Sequence, residues 1–327
     1  MRDGEGAPAD GGREEAGPDP VPPGGPGAAL EPVGRCLACG SPEREPEAEV
    51  RAQMMPPDAP AERFTFVRCS ACGLVYLDPR VPADQLGRYY TEAYLPYRGA
   101  AAWGPFAPLV AMGQRGTDRA RVALVREHAA PGPGIRVLDV GCGRPTFLEA
   151  LVRATGCHGV GTDFSDHGWR EDPERWRGLD LRAGDLHELA FDAPADVVTM
   201  WHYLEHDYAP RMTLARVREL VEGSTHPGGP RLFIEVPDHD GLTRHRHGAG
   251  WAGYHAPRHT ALYTAASLRT LLEASGWEPV EIRRSGTLDP YVLEWMSRME
   301  EKGIDWTGSM APRLPGFLAW KLIWETH

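Results

Sequence analysis

Val137-Leu-Asp-Val-Gly-Cys-Gly-Arg-Pro-Thr-Phe147 reads as a short apolar strand that runs into Gly141-x-Gly143 and then into a helix. Glycine at the two turn positions lets a ligand come close to the backbone, where a side chain would block it. Nicotinamide, flavin and adenosylmethionine sites all use such turns, so the turn alone does not choose among them. Asp139 narrows the choice, because a carboxylate two residues before the first glycine suits a cationic ligand and repels a pyrophosphate. Asp163 follows 24 residues later, at the end of the next expected strand. There a carboxylate can accept hydrogen bonds from both hydroxyls of a ribose. Asp185, in Ala183-Gly-Asp-Leu186 after the third strand, is placed to meet an adenine edge together with a backbone N–H. One such aspartate can be a plain helix cap. Three in succession, each at a strand end, point to one ligand.

Outward from this turn the pattern alternates. His158–Thr162, Leu179–Ala183, Val197–Met200, Arg231–Val236 and Pro279–Arg283 read as further strands after Ile135–Val140. Thr146–Ala154, Leu214–Val221 and Ala265–Ser275 read as helices between them. Short apolar strands alternating with helices imply an α/β fold with a doubly wound, mostly parallel, Rossmann-like sheet. Pro131-Gly-Pro-Gly134 marks a boundary before it, and Thr117–His128 carries helical spacing.

The ordered set Val137–Phe147, Gly161-Thr-Asp163, Gly184-Asp185, Trp201-His-Tyr-Leu-Glu-His206, Pro227-Gly-Gly229 and Leu232-Phe-Ile-Glu-Val-Pro237 resembles class I S-adenosylmethionine-dependent methyltransferases over roughly 135–284. The resemblance implies that Asp139, Gly141, Cys142 and Gly143 line the methionine end of S-adenosylmethionine. It places Asp163 and Phe164 at the ribose, Asp185 and Leu186 at the adenine, and Met200 and Trp201 on the pocket floor. The chain departs from the family at Pro145, where a third glycine is usual; proline is tolerated at a helix start. The antiparallel strand that usually finishes the family's sheet is not legible here.

Cys36-Leu-Ala-Cys39-Gly40 and Cys69-Ser-Ala-Cys72-Gly73 are matching Cys-x-x-Cys-Gly turns. Each pair offers two thiolates, and the two pairs complete a tetrahedral site with no position left for water, so structural Zn2+ is expected. A redox dithiol would not need a second copy. Cys142 and Cys157 read as ordinary thiols. A Pro- and Glu-rich loop and the strand-like run Arg63–Arg68 separate the two pairs. A four-cysteine ribbon followed by Gly73-Leu-Val-Tyr-Leu-Asp-Pro79 and a Tyr-rich helix resembles a branch of these methyltransferases that acts largely on small molecules in secondary metabolism. The resemblance makes the ribbon a lid or substrate-side wall.

Methyl transfer is an in-line displacement, so the protein mainly aligns the acceptor and excludes water; a base is needed only where the acceptor must lose a proton. Eight of the 13 histidines fall between His202 and His259, after the fourth and fifth strands. His259, in Trp251-Ala-Gly-Tyr-His-Ala-Pro-Arg-His259, is the first candidate for a base or substrate contact. His206, Glu205 and His255 follow. His202 ranks below them, Tyr254 is a possible orienting hydroxyl, and His245 with His247 reads as solvated. Tyr89, Tyr90, Tyr94, Tyr97 and Trp103 form either packing or a substrate lid.

Across 327 residues, 35 Lys and Arg face 46 Asp and Glu, a formal net charge of −11. That balance opposes a general nucleic-acid partner, which needs a basic face. Ribbon-guided RNA methylation, a non-catalytic scaffold and a nicotinamide oxidoreductase are the competing readings. No apolar run approaches the roughly 18 residues of a membrane helix, and no secretory signal is legible, so a soluble cytoplasmic protein is expected. The expected organisation is a disordered tail over 1–34, a ribbon over 35–78, a helical linker over 79–130, the cofactor domain over 131–285 and a helical extension over 286–327. Phe317–Trp324 reads as an amphipathic helix and a possible homodimer contact.

Overall fold

The computed structural model describes residues 29–90 and 94–325. In chain order, β1 (Arg44–Arg51), β2 (Arg63–Cys69) and β3 (Val75–Leu77) precede α1 (Leu95–Arg98) and α2 (Ala107–Ala129). Then come β4 (Arg136–Val140), α3 (Thr146–Thr155), β5 (His158–Asp163), α4 (Pro173–Trp176), β6 (Asp180–Ala183), β7 (Val197–Trp201), α5 (Pro210–Leu220) and β8 (Arg231–Glu235). The chain continues through α6 (Leu242–His247), β9 (Ala261–Leu262), α7 (Ala265–Ala274), α8 (Pro290–Glu301) and α9 (Leu314–Glu325).

β4 to β8 form a parallel sheet in the order β6-β5-β4-β7-β8. The order reverses direction at β4, so the crevice beyond its carboxyl end lies at the switch point where such sheets bind ligands. Alternation along the strands covers both faces. Val137, Val197 and Trp201 pack with α2 and α3 through Val122, Val125, Phe147, Leu148 and Leu151. Leu138, Val140, Val198 and Met200 pack with α5 and α7 through Leu214, Val217, Leu268 and Leu271. α3 follows directly from the decisive turn: Pro145 stands at its N-cap, its apolar residues recur on one face, and Gly156 ends it at φ 73°.

The second sheet is antiparallel, in the order β1-β2-β3-β9. Its cysteine turns share one core with the parallel sheet, since Cys36, Cys69, Leu74 and Tyr76 pack in the same cluster as Leu138 and Met200.

Several expectations are corrected. Pro279–Arg283 is not a strand: Val280 is 90% exposed, and Glu281 pairs with Arg283 instead of facing a ladder. With no core to cover, its alternating pattern leaves it as irregular chain. The supposed Pro- and Glu-rich loop contains β1, whose paired charges lie along the solvent side, as in Arg63–Glu49. The helix read from Thr117 begins ten residues earlier, at Ala107. The expected tail lies outside the described residues up to position 28. Glu31 bridges Arg80, and Val33 N–H donates to Asp78 Oδ1 at 3.0 Å. No helix among the described residues is long and apolar enough to cross a membrane.

Candidate functional site

The glycine turn is held by its neighbour strand. Gly141 N and Cys142 N donate to Thr162 O at 2.8 and 2.9 Å, and Gly143 N donates to Asp163 Oδ2 at 3.0 Å. Gly141 has φ +72°, and a Cβ there would stand 2.4 Å from Tyr203 Cδ2. Glycine is therefore required by a packed aromatic ring as well as by the turn. Asp163 closes the end of β5, with Ser165 N on its other oxygen at 3.3 Å. Burial raises its carboxyl, opposed by these backbone donors.

Asp139 is 3% exposed and accepts from Thr199 Oγ1 at 2.6 Å. Burial pushes it up to about 7 against that hydrogen bond. A buried carboxyl of this kind is held near half-ionisation and is stabilised by an incoming cation. Asp185 Oδ1 accepts from His187 N at 2.8 Å on the surface side of the same edge. Tyr203 joins these groups: its ring packs on Gly141 and feels the charges of Asp207, Asp185 and Asp163. Phe164 is 69% exposed beside this edge. Leu186 and Met200 are buried in the core beneath the sheet, and Trp201 stacks edge-on to Phe147 under the Arg121 guanidinium.

A second cluster adjoins the first. After β7 the chain turns through His202, in a left-handed conformation at φ 55°, and delivers Glu205 and His206 inward. His259 comes from the segment before β9. The His206 and His259 rings meet edge to face at 4.5 Å between centroids, with His255 4.9 Å from His259. Burial lowers all three imidazoles, His259 to about 3. Burial also pulls His202 down, but its bonds to Glu205 at 3.1 Å and Glu235 at 3.2 Å hold it up at about 9.

The tyrosines cover these two clusters. Tyr90 OH lies 3.1 Å from His206 Nδ1, and Tyr94 OH lies 2.6 Å from His255 Nε2. The Tyr90 ring also meets Phe164 at 6.2 Å, and Tyr97 stacks on His167 at 5.4 Å. Tyr89 packs in a separate core, while Trp103 lies in the same core as Tyr94, against Trp295 and Phe317. Arg258, missed at the sequence level, anchors the segment. Its buried guanidinium donates to Tyr89 O and Gln53 O, each at 2.8 Å, beneath the Tyr94 ring at 4.5 Å. Its only local signal was its place in Pro257-Arg-His259. His245 is solvated beside Asp240, as expected, but His247 is not: its side chain is 5% exposed and lies between Glu294 and Glu301. Tyr254 meets Arg244 and His239 away from the histidine cluster.

The four ribbon thiols are gathered within 4.8 Å of one another. Cys36 Sγ lies 3.5 Å from Cys72 Sγ, and Cys39 Sγ the same distance from Cys69 Sγ. The two turns are built alike: Gly40 N donates to Cys36 O and Gly73 N to Cys69 O, both at 2.9 Å. Sulfurs at about 2.3 Å from a tetrahedral ion stand roughly 3.8 Å apart, so the thiols fit Zn2+ with small adjustment. Cys157 is buried in the core, and Cys142 lies half-buried in the glycine turn.

The family model described as a methyltransferase domain matches residues 115–282. The 37.1 kDa protein in transposon TN4556 of Streptomyces fradiae is 32% identical over 135 residues, covering 39% of this chain and 38% of that protein. Ubiquinone biosynthesis O-methyltransferase of Hahella chejuensis is 34% identical over 127 residues, 36% of this chain and 49% of the enzyme. Malonyl-[acyl-carrier protein] O-methyltransferase of Erwinia pyrifoliae is 34% identical over 112 residues, 34% of this chain and 41% of the enzyme. The chain thus spans less than half the length of each of these relatives.

Proposed function

The chain belongs to the methyltransferase-domain family matched over residues 115–282, and from that we propose that it transfers the methyl group of S-adenosylmethionine to a small-molecule acceptor. One observation carries this reading. The glycine turn with its carboxylates and the histidine cluster lie at one edge of the parallel sheet, bridged by Tyr90, whose ring touches both Phe164 and His206. The bound sulfonium would supply an activated methyl carbon. Asp139 with the Gly141–Gly143 turn and Cys142 would hold its amino-acid end. Asp163 and Phe164 would hold the ribose, Asp185 and Leu186 the adenine, with Met200 and Trp201 beneath.

The acceptor would lie against His259, with His206, Glu205 and His255 around it, under Tyr90 and Tyr94. This cluster orients the acceptor, excludes water and draws off its proton where one must leave. Carbon or oxygen is the expected acceptor atom, and the setting is specialised metabolism. The ribbon cysteines would hold a structural Zn2+, whose module walls the acceptor side through β9. The net charge of −11 supports a partner other than nucleic acid.

Titration calorimetry with S-adenosylhomocysteine tests the reading, and its pH dependence tests the role of Asp139. Only the ionised carboxyl pairs with the ligand ammonium, and in the free protein that carboxyl titrates at about 7. Affinity should therefore fall about tenfold per unit below this pH and level off above it, until the ligand ammonium itself loses its proton in the alkaline range. Asp139→Asn should bind weakly at every pH with the slope gone. Absence of binding at high micromolar ligand would sink the methyltransferase activity.

α9 buries Leu314 and sets Phe317 and Trp324 against Tyr291, Trp295 and Trp103, leaving Leu318 and Leu322 exposed. We assign that outer face to a homodimer contact. Sedimentation equilibrium should give a dimer mass that falls to monomer in the Leu318→Asp, Leu322→Asp variant; a monomeric parent chain would refute it.

A further inference from the structure

Glu205, His206 and His259 each bring one potential ligand atom to a common place, all within 4.8 Å of one another. The details of that meeting go beyond packing. Glu205 is 1% exposed; His202 holds its Oε1, while its Oε2 has no hydrogen-bond partner. A buried carboxylate oxygen left unpaired costs on the order of 1–3 kcal/mol or more, so something outside the protein is expected to satisfy it.

The two imidazoles are prepared in the same way. His206 Nδ1 lies 3.1 Å from Arg258 O, and His259 Nδ1 lies 2.9 Å from Gly253 O. A carbonyl can only accept, so Nδ1 carries the proton on both rings, the Tyr90 hydroxyl oxygen sharing the His206 Nδ1–H as a second acceptor, and the lone pair stands at Nε2. Metal-binding imidazoles are commonly oriented by such a bond from their other nitrogen. No hydrogen bond joins Glu205, His206 and His259 to one another among the described residues. Three electron-pair donors are thus brought together with no proton between them.

We propose that Glu205 Oε2, His206 Nε2 and His259 Nε2 bind one divalent first-row transition cation, leaving further coordination positions open. Two imidazoles and one carboxylate suit Zn2+, Fe2+, Mn2+ or Co2+ and disfavour Mg2+ and Ca2+. Donors at about 2.1 Å from one ion stand roughly 3–3.5 Å apart, a spacing that three groups already within 4.8 Å of one another reach by side-chain adjustment. The nearby positive charges are offset. His202 sits between Glu205 and Glu235, and the Arg258 guanidinium is spread against two carbonyls and the Tyr90 and Tyr94 rings.

This assignment rests on the acceptor occupying the same cluster, and it narrows the acceptor to one that presents a coordinating oxygen, best two adjacent ones. With both imidazole lone pairs taken by the ion, the cluster acts on the acceptor proton through the ion: a hydroxyl bound there loses its proton to solvent water more readily than a free one. Its oxygen then bonds to the methyl carbon as the carbon–sulfur bond breaks, and that electron pair stays on sulfur.

The test uses the full chain with zinc retained in the ribbon. Mn2+ is titrated in, and loss of the free-ion electron paramagnetic resonance signal reports binding. Co2+ follows by visible absorption, where a site without sulfur shows weak bands and no thiolate charge transfer. The parent chain should bind one ion of each kind. Glu205→Gln and His259→Asn should each weaken binding at least about tenfold, with ribbon zinc unchanged and S-adenosylhomocysteine affinity within about twofold. Failure of the parent chain to bind either ion, or undiminished binding in both variants, overturns the proposal. Cation binding without S-adenosylhomocysteine binding would instead remove the methyltransferase reading and leave the cation site standing.

Discussion

A chain carrying Cys36→Ser and Cys69→Ser should lose the antiparallel sheet while its parallel sheet persists. Each substitution removes one thiolate from a different pair, so neither pair can still chelate. Structural zinc in small modules supplies about 10–16 kcal/mol of apparent binding free energy at neutral pH. The two cysteine turns close the end of the β1–β3 module, and the apolar residues beneath it, Phe64, Phe66, Val75 and Leu77 against Trp251 and Tyr254, stay ordered only while the turns hold the strands in register. The damage should reach the histidine cluster, because Leu77 N–H donates to Thr260 O at 3.0 Å and β3 pairs with β9. Gln53, in the turn after β1, is bonded to Ala256 O and Trp251 O. Hydrogen exchange should therefore show lost protection over 44–77 and 253–263, with 136–201 still protected. Retained protection in the antiparallel sheet, or a parent chain purified without zinc, would refute the structural-metal assignment.

Asp163→Ala should weaken S-adenosylhomocysteine binding by a hundredfold or more. The carboxylate has two functions. It accepts from Gly143 N and Ser165 N, fixing the turn, and on ligand binding it would accept from the ribose hydroxyls. Hydrogen bonds to a charged group contribute about 1.5–3 kcal/mol each, and 1.4 kcal/mol is tenfold in affinity. Loss of two such bonds accounts for the expected change without counting the loosened turn. The parallel sheet should survive, since Asp163 stands at the strand end and outside the core, so a thermal melt serves as the control. A dissociation constant within threefold of the parent would show that the ribose is held elsewhere.

The strand, glycine turn and helix of β4 and α3 were legible because their signals are local. Strand, glycine turn, helix and the acids at strand ends occupy one continuous stretch, and each constrains the backbone within a few residues. The same locality explains the errors. Pro279–Arg283 has the alternation of a strand, but alternation places side chains and cannot supply a partner; Val280 ends in solvent. β1 was hidden because its outer residues are the charges of an edge strand, which resemble a polar loop until the pairing with β2 is seen.

From the residues alone came the parallel α/β sheet, the glycine turn at the end of β4 and the two matched thiol pairs. Each depends on a spacing of a few residues that backbone geometry converts directly into shape. The assembled histidine cluster, its tyrosine cover and the union of the ribbon with β9 depended on the folded chain. Arg258 reaches Tyr89 across 169 residues, and Glu205 meets His259 only after β8, α6 and the turn before β9 have brought the chain back. Such meetings arise when long loops close over a shared core, and closure on that scale leaves no periodic mark in the sequence.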